Sequence, residues 1–336
     1  MTETIDLPQI QTAIEEELKE CILHSENNYY AGYEEMFTYQ MDWENNPHQY
    51  RGKRVRPLLL LLAAHAVGGD WHATLPAAAS LELMHNFSLI HDDIQDKSPT
   101  RRGKPTIWIK WGEPQAINTG DAILALSSLS LQRLKPHFSP EQILQISNLV
   151  HHACLDLTRG QYLDISFESR PSVSLNEYME MITGKTCSLL SAALEIGARL
   201  GGASEQDSLA LNECGRLLGQ AYQIQDDWLG IWGNDAITGK SNQSDLITRK
   251  KTFPILSGLA KKRTFFEIWS RIPVITCDQI HLLVETLKND GVKAETEAKM
   301  ESLYLQTQTV LDSLNYPENR MEPLRSLINK LMKRAQ

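Results

Sequence analysis

Leu81-Glu82-Leu83-Met84-His85-Asn86-Phe87-Ser88-Leu89-Ile90-His91-Asp92-Asp93-Ile94-Gln95-Asp96 is the stretch on which the fold turns. Leu81, Met84, Phe87, Ser88 and His91 recur at the spacing of one helical face, and the run ends in three aspartates. On a helix Asp92 and Asp96 stand one above the other, and Asp93 points about 100° away. Stacked like charges repel, and more so when buried, so this helix end calls for a cation. Carboxylate oxygens are the hard ligands that magnesium takes together with substrate phosphate oxygens. The aspartate spacing alone fits a solvated acidic helix end equally well. His91 reads as a packing or hydrogen-bonding residue, because magnesium prefers oxygen.

Working outward, Arg101-Arg102-Gly103-Lys104-Pro105-Thr106 follows at once, with the composition of a turn. Guanidinium groups there can grip phosphate oxygens bidentately. A second acidic pair, Asp226-Asp227, lies far downstream in Gln223-Ile224-Gln225-Asp226-Asp227, and Lys53, Arg54 and Arg56 form a basic cluster upstream. Acidic rims with a basic clamp suit a diphosphate held through metal ions.

Helical spacing continues through Leu58, Leu61, Leu62 and His65 and through Leu189, Ala193, Ile196 and Leu200. Breaks fall at Gly68-Gly69, Gly112-Glu113-Pro114, Ser139-Pro140 and Gly201-Gly202. The pattern predicts an all-α bundle of roughly ten helices. No linker, repeat or low-complexity tract appears, so residues 1–336 are expected to form a single domain. The polar run from Gly230 to Asp245, directly after the second acidic pair, is a candidate lid.

The net charge of -9 argues against a nucleic-acid surface, while the local basic clusters suit a small anion. Five scattered cysteines without CxxC spacing point to neither a disulfide framework nor a zinc site, and fit a reducing cytoplasm. The longest apolar run, about Pro57 to Ala64, is far short of a membrane span.

The ordered set Gly52-Lys53-Arg54-Val55-Arg56-Pro57, Glu82-Leu83-Met84-His85, the aspartate cluster and Arg101-Arg102-Gly103-Lys104-Pro105-Thr106 resembles the trans-isoprenyl diphosphate synthases, the polyprenyl synthetase family. The resemblance continues through Gly160-Gln161-Tyr162-Leu163-Asp164, Thr183-Gly184-Lys185-Thr186, the Asp226-Asp227 motif, Gly239-Lys240 and Lys250-Lys251-Thr252, spanning about residues 52–254. It implies an isoprenoid synthase type helical bundle around a deep central cavity, a homodimer, and head-to-tail joining of isopentenyl diphosphate to an allylic diphosphate (dimethylallyl, geranyl or farnesyl). By position, Asp92, Asp96 and Asp226 would bind magnesium, three ions per site, with Asp93 and Asp227 in support and Asp227 counted among the metal carboxylates. Arg101, Lys185, Lys240 and Lys250 would reach the allylic diphosphate. Lys53, Arg56, His85 and Arg102 would hold isopentenyl diphosphate, and Lys185, Thr186 and Gln223 would line the path of the allylic cation.

One departure stands out. The family's second motif usually ends in a third aspartate, and this chain has Gly230 there, with Asp235 as a candidate replacement. Residues before Asp92 descend from the motif by about 1.5 Å each, which makes Phe87 the expected floor for the growing chain. Small Ser88 stands above it and Met84 below. That pattern resembles short-chain geranylgeranyl synthases, with a farnesyl synthase or a terpene cyclase on the same fold as alternatives. The cyclase has no second diphosphate to bind, against which the Lys53, Arg56, His85 and Arg102 set counts.

Overall fold

The computed structural model of the chain describes residues 5–23, 31–43, 54–233, 244–272 and 274–332. They are almost wholly helical, with sixteen α-helices among the described residues and one two-stranded hairpin. The all-α class is therefore correct. The helix count exceeds the expected ten because short helices such as Ile107–Trp111, Phe253–Ala260 and Thr264–Arg271 are too brief to show a full apolar period.

The chain divides into two compact units. One comprises Met1–His152, Ala192–Ser208 and Tyr316–Leu324, and the other Ala153–Ser191, Leu209–Asn315 and Arg325–Gln336.

The first unit contains α1 (Leu7–Leu23), α2 (Ala31–Gln40), α3 (Val55–Ala66), α4 (Leu75–Gln95), α5 (Ile107–Trp111) and α6 (Glu113–Ser130). Leu58 to Ala64 of α3 are all buried, as expected of a helix apolar on every side. The apolar run noted in the sequence is thus core, and no helix among the described residues is long and apolar enough to cross a membrane. α4 starts with Pro76 in its first turn, where a missing N–H costs nothing. It ends by a left-handed residue, Lys97 (φ 51). The Ser98 N–H reaches the Asp93 carbonyl at 2.9 Å and the Lys97 N–H reaches that of Ile94 at 3.2 Å, a Schellman closure. Asp92, Asp93 and Asp96 therefore crowd the negative end of the helix dipole, which disfavours them unless a cation is near.

The hairpin pairs β1 (Thr100–Arg101) with β2 (Lys104–Pro105). Its two central residues, Arg102 (φ 53) and Gly103 (φ 78), both lie at positive φ, as a type I′ turn requires. Tyr39 donates to the Pro105 carbonyl at 2.7 Å and Trp108 to the Ser98 carbonyl at 2.8 Å, anchoring the hairpin at both ends.

The second unit contains α8 (Leu175–Ile182) and α11 to α15 (Ser244–Ile247, Phe253–Ala260, Thr264–Arg271, Cys277–Asn289, Val292–Ser313). Both units draw residues from α7 (Pro140–Ser169), α9 (Ser188–Leu200), α10 (Glu205–Trp232) and α16 (Glu318–Met332). Phe167, Tyr178, Ile182, Leu217, Ile224 and Phe253 are in one of its apolar clusters, and each such buried side chain contributes about 1.5 to 3 kcal/mol. Between α8 and α9 the backbone widens into a π-turn over Thr183–Cys187.

Candidate active site

In the first unit the end of α4 meets the hairpin. Arg101 donates through Nε to both oxygens of Asp93 at 2.9 Å and through Nη2 to Oδ1 at 2.8 Å, and lies 3.5 Å from Asp92. Asp93 is the buried member of the trio, whereas Asp92 is half-buried and Asp96 exposed. Burial raises the Asp93 pKa and the Arg101 bond opposes the rise. The hundred-degree offset expected between the neighbours is thus what sends Asp93 into protein and leaves Asp92 and Asp96 to face outward. His91 packs edge-on against Phe87 at 4.9 Å, in line with a packing role.

Arg102, at the exposed tip, lies 3.5 Å from Asp42, which also pairs with Lys104. Burial and the surrounding Arg56, Arg102, Arg101 and Arg54 push the His85 pKa well below the ordinary imidazole value, so the ring is neutral at pH 7. A neutral imidazole can both donate and accept. Arg56 is partly exposed and Lys53 lies outside the described residues.

Arg54, between those two expected ligands, does something different. It is buried with φ 41, and donates to Glu15 at 2.6 Å, to Glu82 at 2.9 Å and to the Met41 carbonyl at 3.2 Å. Glu15 also accepts from Trp43 at 2.8 Å, and Asn86 donates to the Glu82 side chain at 3.3 Å. This network ties α1, α4 and the approach to α3 together, and so fixes the backbone that carries Arg56. Glu15, Glu82 and Asp42 were not singled out from sequence. Apart from Glu82 in its motif, nothing local in the chain marks them.

In the second unit the site is built on the π-turn. Lys185 pairs with Asp164 at 2.6 Å, and Thr186 donates to Gln223 Oε1 at 2.8 Å. The widened turn packs against α7 through two glycines: a Cβ on Gly160 would lie 2.1 Å from the Lys185 nitrogen, and one on Gly184 2.6 Å from the Asp156 carbonyl. π-Turns recur at functional sites because they present side chains that a regular helix would space differently.

Asp226 is exposed, and its neighbour Asp227 is buried. Asp227 accepts from the Tyr178 hydroxyl at 2.5 Å, the Phe253 N–H at 2.9 Å and Gln223 Nε2 at 3.0 Å. Burial raises its pKa to about 6 against these three donors and Lys250. The expectation of Asp227 as a metal carboxylate does not match these surroundings: the protein already satisfies both of its oxygens. Tyr178 and Asp164, which hold Asp227 and Lys185, were missed as functional partners because each is distant in sequence from the group it holds.

Gly230 also has an account. A Cβ there would lie 2.5 Å from the Asp245 carboxylate oxygen, so Asp245 fills the space into which a third aspartate would project. The earlier candidate Asp235, with Lys240 and most of the expected lid, lies outside the described residues. Lys250 is described and exposed.

Among the described residues no three His, Cys, Asp or Glu side chains converge into a standing metal cage. Magnesium needs none, since it keeps waters and commonly takes one or two carboxylates plus substrate phosphates. Asp92 and Asp96, outward-facing at a helix C-terminus, are donors of the right hardness and charge for an ion that arrives with a diphosphate.

Residues 44–271 match the polyprenyl synthetase family model. A farnesyl diphosphate synthase of Mycobacterium tuberculosis is 45% identical over 205 residues, 61% of this chain and 56% of that protein. A geranylgeranyl diphosphate synthase of Methanosarcina mazei is 42% identical over 210 residues, 62% of this chain and 64% of that one. The chain thus spans less than two thirds of the length of both relatives. The structure of a geranylgeranyl pyrophosphate synthase from Corynebacterium glutamicum, complexed with isoprenyl diphosphate and magnesium, superposes with a TM-score of 0.85 at 26% identity. It covers 98% of this chain and 100% of that one. On this evidence the chain belongs to the polyprenyl synthetase family.

Proposed function

We propose that the chain is a trans-prenyltransferase that condenses isopentenyl diphosphate head-to-tail with an allylic diphosphate. The observation that carries this reading is the end of α4, where Arg101 holds Asp93 inward and leaves Asp92 and Asp96 outward beside a basic hairpin. As the family resemblance implies, Asp92, Asp96 and Asp226 are the residues that would hold magnesium, three ions in all. Magnesium, when bound, supplies positive charge that stabilises the departing diphosphate.

The chain's own residues do the rest. Arg101, Lys185, Lys240 and Lys250 bind the allylic diphosphate. Lys53, Arg56, Arg102 and neutral His85 bind and orient isopentenyl diphosphate. The allylic C–O bond breaks with its electron pair leaving on diphosphate, the isopentenyl double bond closes the new C–C bond, and a proton passes to diphosphate. Thr186, Gln223 and Lys185 lie along the path of the transient cation. Positioning and electrostatic stabilisation are the sources of rate.

The product proposed is geranylgeranyl diphosphate. Supporting it, Phe87, five residues before Asp92, is 7% exposed and Met84 is fully buried, while the small Ser88 side chain is engaged with the His85 carbonyl at 2.8 Å. The farnesyl reading keeps the support of the M. tuberculosis relative. Homodimerisation and cytoplasmic residence belong to the same proposal, the first from the family resemblance, the second from the free cysteines Cys21, Cys154, Cys187 and Cys214.

Incubation with magnesium, isopentenyl diphosphate and each allylic primer, followed by product sizing, tests the reading. Elongation to twenty carbons is expected, with longer products from Phe87→Ala and fifteen-carbon products from Ser88→Phe. Ionisation of an allylic substrate without uptake of isopentenyl diphosphate would establish a cyclase instead.

A further inference from the structure

We propose that Tyr178 and Asp227 are positioning residues that set the direction of a hydrogen-bond chain through Gln223, so that Thr186 turns its hydroxyl oxygen, and not its proton, toward the allylic cation. The inference rests on the prenyltransferase reading of Thr186 and Gln223.

The direction follows from donor and acceptor chemistry. The ionised Asp227 carboxylate can only accept. Its Oδ2 takes the Tyr178 hydroxyl at 2.5 Å and the Phe253 N–H at 2.9 Å, leaving Oδ1 for the Gln223 side chain at 3.0 Å. The end of the Gln223 amide that faces Asp227 must therefore be its nitrogen. That places Oε1 at the other end, 2.8 Å from Thr186 Oγ1. An amide oxygen can only accept, so the Thr186 proton is used on Gln223 and the remaining lone pairs of its hydroxyl point elsewhere.

A carbocation is stabilised by lone pairs and repelled by an O–H proton. If Asp227 were replaced by a group that donates toward Gln223, the amide could turn over, its NH2 would face Thr186, and the hydroxyl proton would be released to point at the cation. Tyr178 is 1% exposed and Asp227 4%, so water does not compete with the chain at its inner end. The π-turn over Thr183–Cys187 carries Thr186, and α10 carries both Gln223 and Asp227 one helical turn apart. Lys185 is engaged separately with Asp164 and does not enter the chain through that bond.

The test compares binding of two probes to the magnesium-loaded full-length protein at pH 8 by calorimetry. One is a prenyl diphosphate analogue with a protonated amine in place of the cationic carbon, and the other is its uncharged carbon isostere. The wild type is expected to prefer the charged probe. Tyr178→Phe and Asp227→Asn should reduce that preference by about 3- to 10-fold, the range for one neutral hydrogen bond, with the uncharged probe unaffected. Thr186→Ser should retain the preference and Thr186→Val should lose it. Equal weakening of both probes in the folded variants would make Tyr178 and Asp227 structural supports and overturn the proposal, as would an unchanged preference in Asp227→Asn. Should Tyr178→Phe fail to fold, Asp227→Asn and the Thr186 pair decide. Wild-type turnover of isopentenyl diphosphate, measured alongside, separates the two levels. No turnover overturns the underlying reading, and turnover without charge preference overturns only the chain.

Discussion

The two aspartate pairs, Asp92-Asp93 on α4 and Asp226-Asp227 on α10, solve the same problem with opposite chemistry. In each pair the second residue is buried, at 4% exposure in both cases, and the first faces outward. Asp93 is satisfied by a cation, Arg101. Asp227 is satisfied by a phenol, a backbone amide and a carboxamide, all neutral. An ionic partner on a hairpin that keeps 30% of its side chain exposed can be shared with a phosphate, whereas buried neutral donors cannot leave without exposing a charge. The first pair is thus built to respond to an arriving anion and the second to stay fixed.

The largest effect should come from removing an outward member. Asp92→Ala is expected to lower turnover by about 10³-fold, several kcal/mol of lost transition-state stabilisation, with the thermal midpoint little changed. Asp93→Ala should instead lower the midpoint, and equal loss of stability in both would erase the inward and outward distinction.

A second test uses pH. The folded pKa of Asp227, about 6, lies above the ordinary aspartate value, so the folded state binds the extra proton. Its contribution is fully present below about pH 4 and is lost as pH rises to about 6, on the order of 3 kcal/mol over that window. Urea unfolding of the wild type and of Asp227→Asn across this range should show their difference change by that amount and level off above it. A flat difference would mean that the three donors fully offset burial.

The third test separates ionic from neutral support. Arg101→Ala should cost about 2 kcal/mol, less than for a fully buried pair, and the loss should shrink in molar salt. Tyr178→Phe, which removes a hydrogen bond to a buried carboxylate, should cost about 2 kcal/mol with no salt dependence. Identical salt responses would remove the contrast. The smallest effect is expected at the missing third aspartate: Gly230→Asp should cost about 1 kcal/mol by crowding Asp245, and adding Asp245→Ala should recover most of it. Additive losses would show that the two positions do not compete.

Much of this was legible in the chain. The Leu81 to Asp96 period, the turn after it and the offset of Asp93 from the Asp92 and Asp96 face all follow from local spacing, whereas which face turns inward does not. α4 begins earlier, at Leu75, because Ala77, Ala78 and Ala79 are buried without a periodic apolar signal. The bonds that complete the sites were not legible. Arg54 to Glu15, Lys185 to Asp164 and Tyr178 to Asp227 join residues 39, 21 and 49 positions apart, and no local pattern encodes such pairings. A dipeptide of identical residues says nothing about which side chain the core will claim, so the burial of Asp227 rather than Asp226 has no local signal.

The π-turn at Thr183–Cys187 has a consequence for how this chain can vary. It accommodates one residue more than a regular turn, so everything after it is rotated by about 100° relative to an unbroken helix. Deleting a single residue there would not shorten a loop. It would swing Leu189 and Leu190 out of the core and carry Thr186 away from Gln223, which makes these five positions intolerant of length change even where they tolerate substitution.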